Sequence, residues 1–155
     1  MFDDQEKRYI ETARVGRLAT ADTTGQPHVV PICFAMLGGR IVTPIDEKPQ
    51  DVSPEALQRS RDIDENPQVA VIVDHYTEEW TQLGWIQIRG TATHLPPEAA
   101  DHSSAVTALR EKYDQYTDHA LEDRPIVQIS PESTQSWGQL NRPDETGSQA
   151  ERLGR

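Results

Sequence analysis

The residues best suited to covalent chemistry are a single cysteine, Cys33, and five histidines. A cysteine attacks as its thiolate, which forms most readily beside cationic groups. Cys33 instead stands inside an apolar run, between Ile32 and Phe34, where a thiol usually packs as a small hydrophobic group. The sequence contains no Gly-x-Ser-x-Gly elbow that would supply a serine nucleophile. The pattern therefore favours a packing role for Cys33 over a covalent one.

Three residues at the ends of predicted strands, His28, Asp74 and His75, are the candidate metal ligands. They could converge in space, but His-x-His, His-Glu-x-x-His and Cys-x-x-Cys spacings are missing from the sequence. One cysteine also excludes an internal disulfide and a multi-cysteine metal site. We therefore predict no metal centre and no catalytic residue of a recognisable type.

A phosphate group has one candidate ligand in the sequence, Lys48, which is the only lysine between positions 8 and 111. It follows the predicted strand 40–44, and a lysine just past a strand end can bind phosphate as a point charge. Arg59 and Arg61 on the next helix could reinforce it. The alternative is a solvated surface lysine. Neither Gly-x-Gly-x-x-Gly nor a Walker loop is present, so the sequence does not support a dinucleotide fold or a P-loop.

Two tryptophans, Trp80 and Trp85, bracket a short connection between predicted strands. One indole can line a pocket for a flat conjugated ring, as aromatic walls do in many ligand sites. Alternatively, both pack as hydrophobic cover over the end of a barrel. The residues alone leave both interpretations open.

Short strands and helices must position these residues. Helices are predicted at 4–13 and 53–66 and from about 96, and strands at 15–21, 28–36, 40–44, 68–74, 85–94 and 125–129. Gly38-Gly39 is a hairpin signal, and a hairpin-rich start favours antiparallel pairing. Six strands with helices at the connections predict a mainly β fold, a small closed or split barrel with flanking helices, because closure removes exposed edges. We predict one domain over 1–142 and a polar, disordered tail over 143–155.

The charge balance, 15 basic against 26 acidic residues, excludes the usual binders of nucleic acid and anionic membranes, which present a basic surface. Short apolar runs such as Val69–Val73 indicate a folded core despite a mean hydropathy of −0.71. Only three basic residues are lysines, which suggests either adaptation to high salt or an ordinary acidic surface. The sequence shows no signal peptide and no apolar run near the roughly 20 residues of a membrane span. We expect a cytoplasmic protein.

Taken in order, several segments resemble the pyridoxamine 5'-phosphate oxidase-like family. Residues 13–20 and 25–34 look like the opening of such proteins, and 41–49 is similar to their cofactor-phosphate segment. Residues 66–76 and the stretch from Trp80 to Gly90 continue the resemblance, which runs from about Glu6 to Trp137. The block Asp74-His75-Tyr76, with Trp80 and Trp85 after it, leans toward the branch that uses the deazaflavin coenzyme F420.

The resemblance implies a six-stranded antiparallel split barrel of Greek-key type, and a homodimer with two equivalent sites across its interface. It implies hydride transfer from F420 to a small conjugated or heteroaromatic substrate. An FMN-dependent oxidoreductase and a non-catalytic flavin-binding module are the alternatives. Asp46 and Glu47, directly before Lys48, depart from an anion-binding pattern. The implied cofactor-binding residues are Val30, Pro31, Ile32, Cys33, Val42, Thr43, Pro44, Ile45, Lys48, Arg59, His75, Trp80 and Trp85.

Overall fold

One antiparallel sheet of seven strands runs through the fold. The computed structural model describes residues 1–45 and 54–142. The strands are β1 Gly16–Ala21, β2 Pro27–Ile32, β3 Ala35–Leu37, β4 Arg40–Pro44, β5 Gln68–His75, β6 Gly84–Leu95 and β7 Ile126–Gly138. The helices are α1 Asp4–Thr12, α2 Pro54–Glu65 and α3 His102–Lys112, with 3-10 turns at Trp80–Gln82, Asp114–Asp118 and Leu121–Asp123. Within the described part of the chain, no helix is long and apolar enough to cross a membrane.

The sheet curls into a half-barrel, which confirms the predicted fold class. The strand order is β2-β1-β5-β6-β7-β4-β3, and each neighbouring pair is antiparallel. β2 and β3 are consecutive in the chain but lie at opposite edges of the sheet. The Thr43 hydroxyl on β4 nevertheless donates to the Cys33 carbonyl at 2.6 Å. The curl therefore brings one edge of the sheet back toward the other.

The predicted single strand 28–36 is wrong, because the chain breaks at Cys33 and Phe34 into β2 and β3. This break explains why the sheet has seven strands and not six. The apolar run continues through both residues, so the sequence pattern carries no signal of it. The phenolic oxygen of Tyr113 accepts the Phe34 N–H at 3.1 Å and lies 3.1 Å from the Phe34 carbonyl oxygen. Side chains thus replace the ladder partners that the backbone loses at the break.

The last strand is longer than predicted, since β7 extends to Gly138 and not only to Ile129. Its polar second half pairs with the first half of β6, from Arg89↔Ser133 to Gly84↔Gly138. A ladder with an existing strand holds a polar segment in extended form, which composition does not reveal. At the bulge in this ladder, a Cβ on Gly90 would lie 2.2 Å from the Ser130 carbonyl oxygen, so glycine is required there. The third helix also differs, because it begins at His102 and not near residue 96.

Two apolar clusters fill the half-barrel and its α3 side. The larger cluster lies inside the curl and includes Leu18, Val71, Ile86, Ile88 and Ile129, all fully buried. The smaller one packs β4 and β7 against α3 and the turns that follow, and includes Val42, Leu109, Tyr116, Leu121 and Ile126. Tyr113 lies at the C-cap of α3, where its hydroxyl also approaches the Arg14 carbonyl oxygen at 3.0 Å. One phenol therefore joins the start of β1, the break after β2 and the end of α3.

Tyr113→Phe should lower the free energy of unfolding by about 1–3 kcal/mol, because it leaves buried polar groups of Phe34 without their partner. Urea unfolding measured by circular dichroism tests this. The control is Tyr76→Phe, which removes a hydroxyl from a side chain that is 67% exposed and should change stability by less than about 0.5 kcal/mol. Equal effects of the two substitutions would contradict a special role for Tyr113.

Candidate functional site

The gap between the free edge of β2 and the end of β4, which we call the split, contains most of the predicted cofactor-binding residues. Val30 and Ile32 turn inward from β2 and pack against the main core, whereas Pro31 is exposed on the opposite face. Cys33 is partly buried against the smaller cluster. The split thus presents mainly backbone and the outer face of β2, while the apolar side chains on its inner face are occupied by the core.

The end of β4 forms the other side of the split. β3 pairs with Arg40 to Val42 only, so the next three residues extend beyond it. Thr43 and Pro44 are buried and Ile45 is partly buried. Arg59 of α2 is buried and donates from its Nη2 to the carbonyls of Pro44, at 3.3 Å, and Ile45. Arg59 therefore contacts the two residues that precede the predicted phosphate-binding segment in the chain. Lys48 itself lies outside the described residues.

Polar contacts with two histidines hold α2 on the sheet. The fully buried carboxylate of Asp62 accepts from the Thr20 hydroxyl at 2.8 Å and lies 2.9 Å from Nδ1 of His28 on β2. Gln58 donates to its second oxygen at 2.8 Å. On β6, Nδ1 of His94 lies 3.1 Å from the exposed carboxylate of Asp64. These contacts fix the helix that carries Arg59.

The three candidate metal ligands do not converge. His28 pairs with Asp62, and Asp74 accepts from Arg17 at 2.6 Å. In the described part of the chain, no group of three His, Cys, Asp or Glu side chains could hold a metal ion. Sequence reasoning missed the contacts with Asp62, since they join residues 34 and 42 positions apart. A fully buried aspartate on an otherwise polar helix leaves no local signal in the sequence.

His75 joins α1 to the connection between β5 and β6. Its Nδ1 lies 2.7 Å from the Tyr9 hydroxyl, and its Nε2 donates to the Gln82 carbonyl at 2.5 Å. The Tyr9 hydroxyl also lies 3.1 Å from the Gly84 carbonyl oxygen. Burial raises the pKa of Tyr9 to about 12, so this phenol stays protonated and can donate. His75 therefore positions the connection that carries Trp80.

The predicted tryptophans lie away from the split within the chain. Trp80 is 69% exposed on its 3-10 turn, and Trp85 lies on the outer face of β6, opposite Trp137 of β7. β6 is three strands from β2 in the sheet, or roughly 14 Å at the usual strand spacing. The outer face also exposes Val29 of β2. Within one chain, the two indoles therefore do not reach the split.

The outer face contains a shallow groove of about 440 Å³ across β1, β5, β6 and β7. Ala19 and Ala70 line its apolar side, and Arg89 and Glu132 its polar side.

Comparisons with known proteins identify relatives of this arrangement. A family model described as pyridoxamine 5'-phosphate oxidase matches residues 2–138. No curated protein matches the chain. Among solved structures, an F420 reductase is 23% identical, with 83% of this chain and 94% of the reductase covered and a TM-score of 0.59.

Two other solved structures with different ligands share the fold. An FAD-binding protein from Mesorhizobium loti is 24% identical, with 87% of this chain and 94% of that protein covered and a TM-score of 0.61. The haem storage protein HutZ from Vibrio cholerae is 16% identical, with 85% and 90% covered and a TM-score of 0.65. At these identities, the likeness to each solved structure shows the fold and not the ligand.

Asp62→Asn should lower the free energy of unfolding by about 2–4 kcal/mol, because a neutral amide cannot accept from all the donors around this buried position. Thermal and urea unfolding measure it. Asp64→Asn is the matched control on the same helix. Its carboxylate is 69% exposed, so we expect a loss below about 1 kcal/mol. Similar losses in both variants would rule out the buried carboxylate as the main anchor of α2.

Proposed function

The chain belongs to the pyridoxamine 5'-phosphate oxidase family, and from this we propose that it is an F420-dependent reductase whose cofactor binds in the split. The proposal is carried by one hydrogen bond, which the Thr43 hydroxyl on β4 donates to the carbonyl of Cys33 at 2.6 Å. Cys33 directly follows β2, so this bond brings the ends of β2 and β4 together. Two strand ends there offer backbone groups beside a partly buried surface. The substrate we propose is a small conjugated or heteroaromatic molecule.

The residues of the split fit a flat heterocycle. Pro27 and Pro31 have no N–H, and their side chains and that of Val29 are exposed on one face of β2. The backbone of β2 therefore has fewer donors than acceptors. The end of β4, which pairs with β7 but not with β3, lies on the other side. A heterocycle with N–H and C=O groups on its rim can bond to such backbone and stack on the neighbouring apolar atoms.

Hydride transfer is chemistry that a bound deazaflavin supplies. The protein then has to position the ring, exclude water and set the local charge. Arg59 would contribute by fixing Pro44 and Ile45 at one side of the ring. Arg59 would supply positive charge for a phosphate, and the resemblance adds Lys48, whose sequence neighbours Asp46 and Glu47 carry the opposite charge. This division of labour requires no acid–base triad on the protein.

We also propose that two copies of the chain form a homodimer through the outer face of the sheet. Val29 is 63% exposed and Trp137 is 53% exposed, and Ile72 lies between them on β5. These apolar side chains share the outer face with Arg17 and Gln87, the cross-strand neighbours of Ile72, and such exposed apolar groups with polar neighbours are common at interaction surfaces. In such a dimer, Trp80 or Trp85 of one copy would line the split of the other copy, because neither indole reaches the split of its own copy.

Lys48→Ala should weaken the binding of F420 by about 10-fold or more, since a charged contact with phosphate contributes about 1.5–3 kcal/mol. Equilibrium titrations of F420, FMN and hemin, followed by absorbance at low and high salt, measure this. Lys7→Ala, on the exposed face of α1, is the control and should leave affinity unchanged.

If only FMN binds tightly, the protein uses FMN and not F420. If only hemin binds tightly, the proposed reductase function is rejected. Unchanged F420 affinity in Lys48→Ala would remove Lys48 from the site. A bound cofactor that, once reduced, passes its hydride to none of a broad panel of acceptors would indicate a binding module.

Ile72→Glu should convert the dimer to a monomer, because it places a charge in the middle of the outer face, between Arg17 and Gln87. Sedimentation equilibrium should give about twice 17.4 kDa for the wild type and 17.4 kDa for the variant. The control is Thr107→Glu on the exposed side of α3. A monomeric wild type, or a variant that remains dimeric, would disprove this interface.

A further inference from the structure

A buried ammonium group without an acceptor lies beside the split. Nζ of Lys112, at the end of α3, is inaccessible to solvent and has no hydrogen-bond partner in the described part of the chain. It lies 3.9 Å from the centre of the Phe34 ring and 5.4 Å from that of Tyr113. Aromatic faces attract a cation but accept none of its three hydrogen bonds. The aromatic rings therefore stabilise the charge of the Lys112 ammonium in part, but its hydrogen-bond donors remain without acceptors.

A second cation lies next to this ammonium. Nη2 of Arg14 donates to the Lys112 carbonyl at 2.9 Å, and its guanidinium lies 4.6 Å from the centre of the Tyr113 ring. Arg14 is exposed, whereas the Lys112 ammonium lies beneath the surface. Both cations therefore lie against the Tyr113 ring, and Arg14 is exposed to solvent whereas the Lys112 ammonium is covered.

The surroundings of Lys112 hold more positive than negative charge, in a chain of net charge −11. Burial, followed by the charges of Arg14 and Arg142, lowers the pKa of Lys112 to about 8, against smaller opposite effects of Cys33 and Glu11. Clustering cations costs free energy unless an anion joins them. The cluster therefore has the charge of a site for an anion.

We propose that Lys112 and Arg14 form a binding site for the oxyanion of a small molecule, either a carboxylate or a phosphate-type group. An anion held at the exposed Arg14 gives the covered Lys112 ammonium an acceptor once the lysine side chain turns toward the surface. Such a contact satisfies donors that are otherwise buried without partners, which is where hydrogen bonds to charged groups contribute most.

The position of this site suggests which molecule carries the anion. Lys112 contacts Phe34, and Phe34 directly follows Cys33, the residue at which β2 and β4 meet. A substrate whose conjugated part faces the split can therefore direct an acidic group toward Lys112. This assignment of the anion to the substrate rests on the proposed function, whereas the anion site itself does not.

Isothermal titration of the full chain with sulfate and with benzoate tests the site, because sulfate represents phosphate-type groups and benzoate represents carboxylates. We expect at least one of them to bind wild-type protein with millimolar affinity, about −4 kcal/mol. Lys112→Met should weaken it about 10-fold or more. Raising the pH from about 7 to about 9.5 should do the same, since most of the Lys112 population is then neutral while both probes keep their charge. Lys7→Met is the control and should bind as the wild type does.

The site is rejected if neither probe binds, if Lys112→Met binds as tightly as the wild type, or if affinity does not depend on pH. A cofactor titration of Lys112→Met separates this result from the proposed function. Cofactor binding with no anion binding would reject only the anion site. Anion binding that depends on Lys112, without binding of F420 or FMN, would reject only the proposed function.

Discussion

The structure depends on how the chain satisfies its backbone where it leaves one edge of the sheet for the other. At Cys33 and Phe34 the strand ends while the chain stays partly or fully buried, and buried N–H and C=O groups need partners. Thr43 supplies one for Cys33 and Tyr113 supplies those for Phe34. Without these contacts, the break would leave buried backbone groups unpaired. A single continuous strand would then have the lower free energy, and the sheet would have no split.

The proposed cofactor site follows from this break. Because β2 stops at Ile32, its free edge lies across from the end of β4 that pairs with β7 but not with β3. The helix that follows must then hold the end of β4, and α2 does so through Arg59. That helix is attached by the polar contacts of Asp62 and by Ile63, which is buried in the larger apolar cluster, so the geometry of the site depends on residues some distance from the split.

The sequence allowed prediction of features with a local pattern. The apolar run Val69–Val73 became β5, and Gly38-Gly39 formed the turn between β3 and β4. The break after Ile32 was missed because apolar residues continue through it, and the polar half of β7 because a partner strand, not composition, holds it extended. For the proposed site, the sequence predicted the segments 30–33 and 42–45, which lie on the two sides of the split. It could not place Asp62 and Lys112, whose roles arise from burial between distant elements.

Charge gives the site an unusual dependence on its surroundings. The acidic surface repels an anionic cofactor or substrate over long distances, and 0.1 M salt largely screens this repulsion beyond about 10 Å. Contacts with partly buried cations such as Lys112 are screened much less. Added salt should therefore remove more repulsion than attraction in this chain, whereas an anion site on a basic surface weakens in salt. The affinity of an anionic ligand would then hold steady or rise with salt, and a steep fall would place its charged group on exposed lysines or arginines instead.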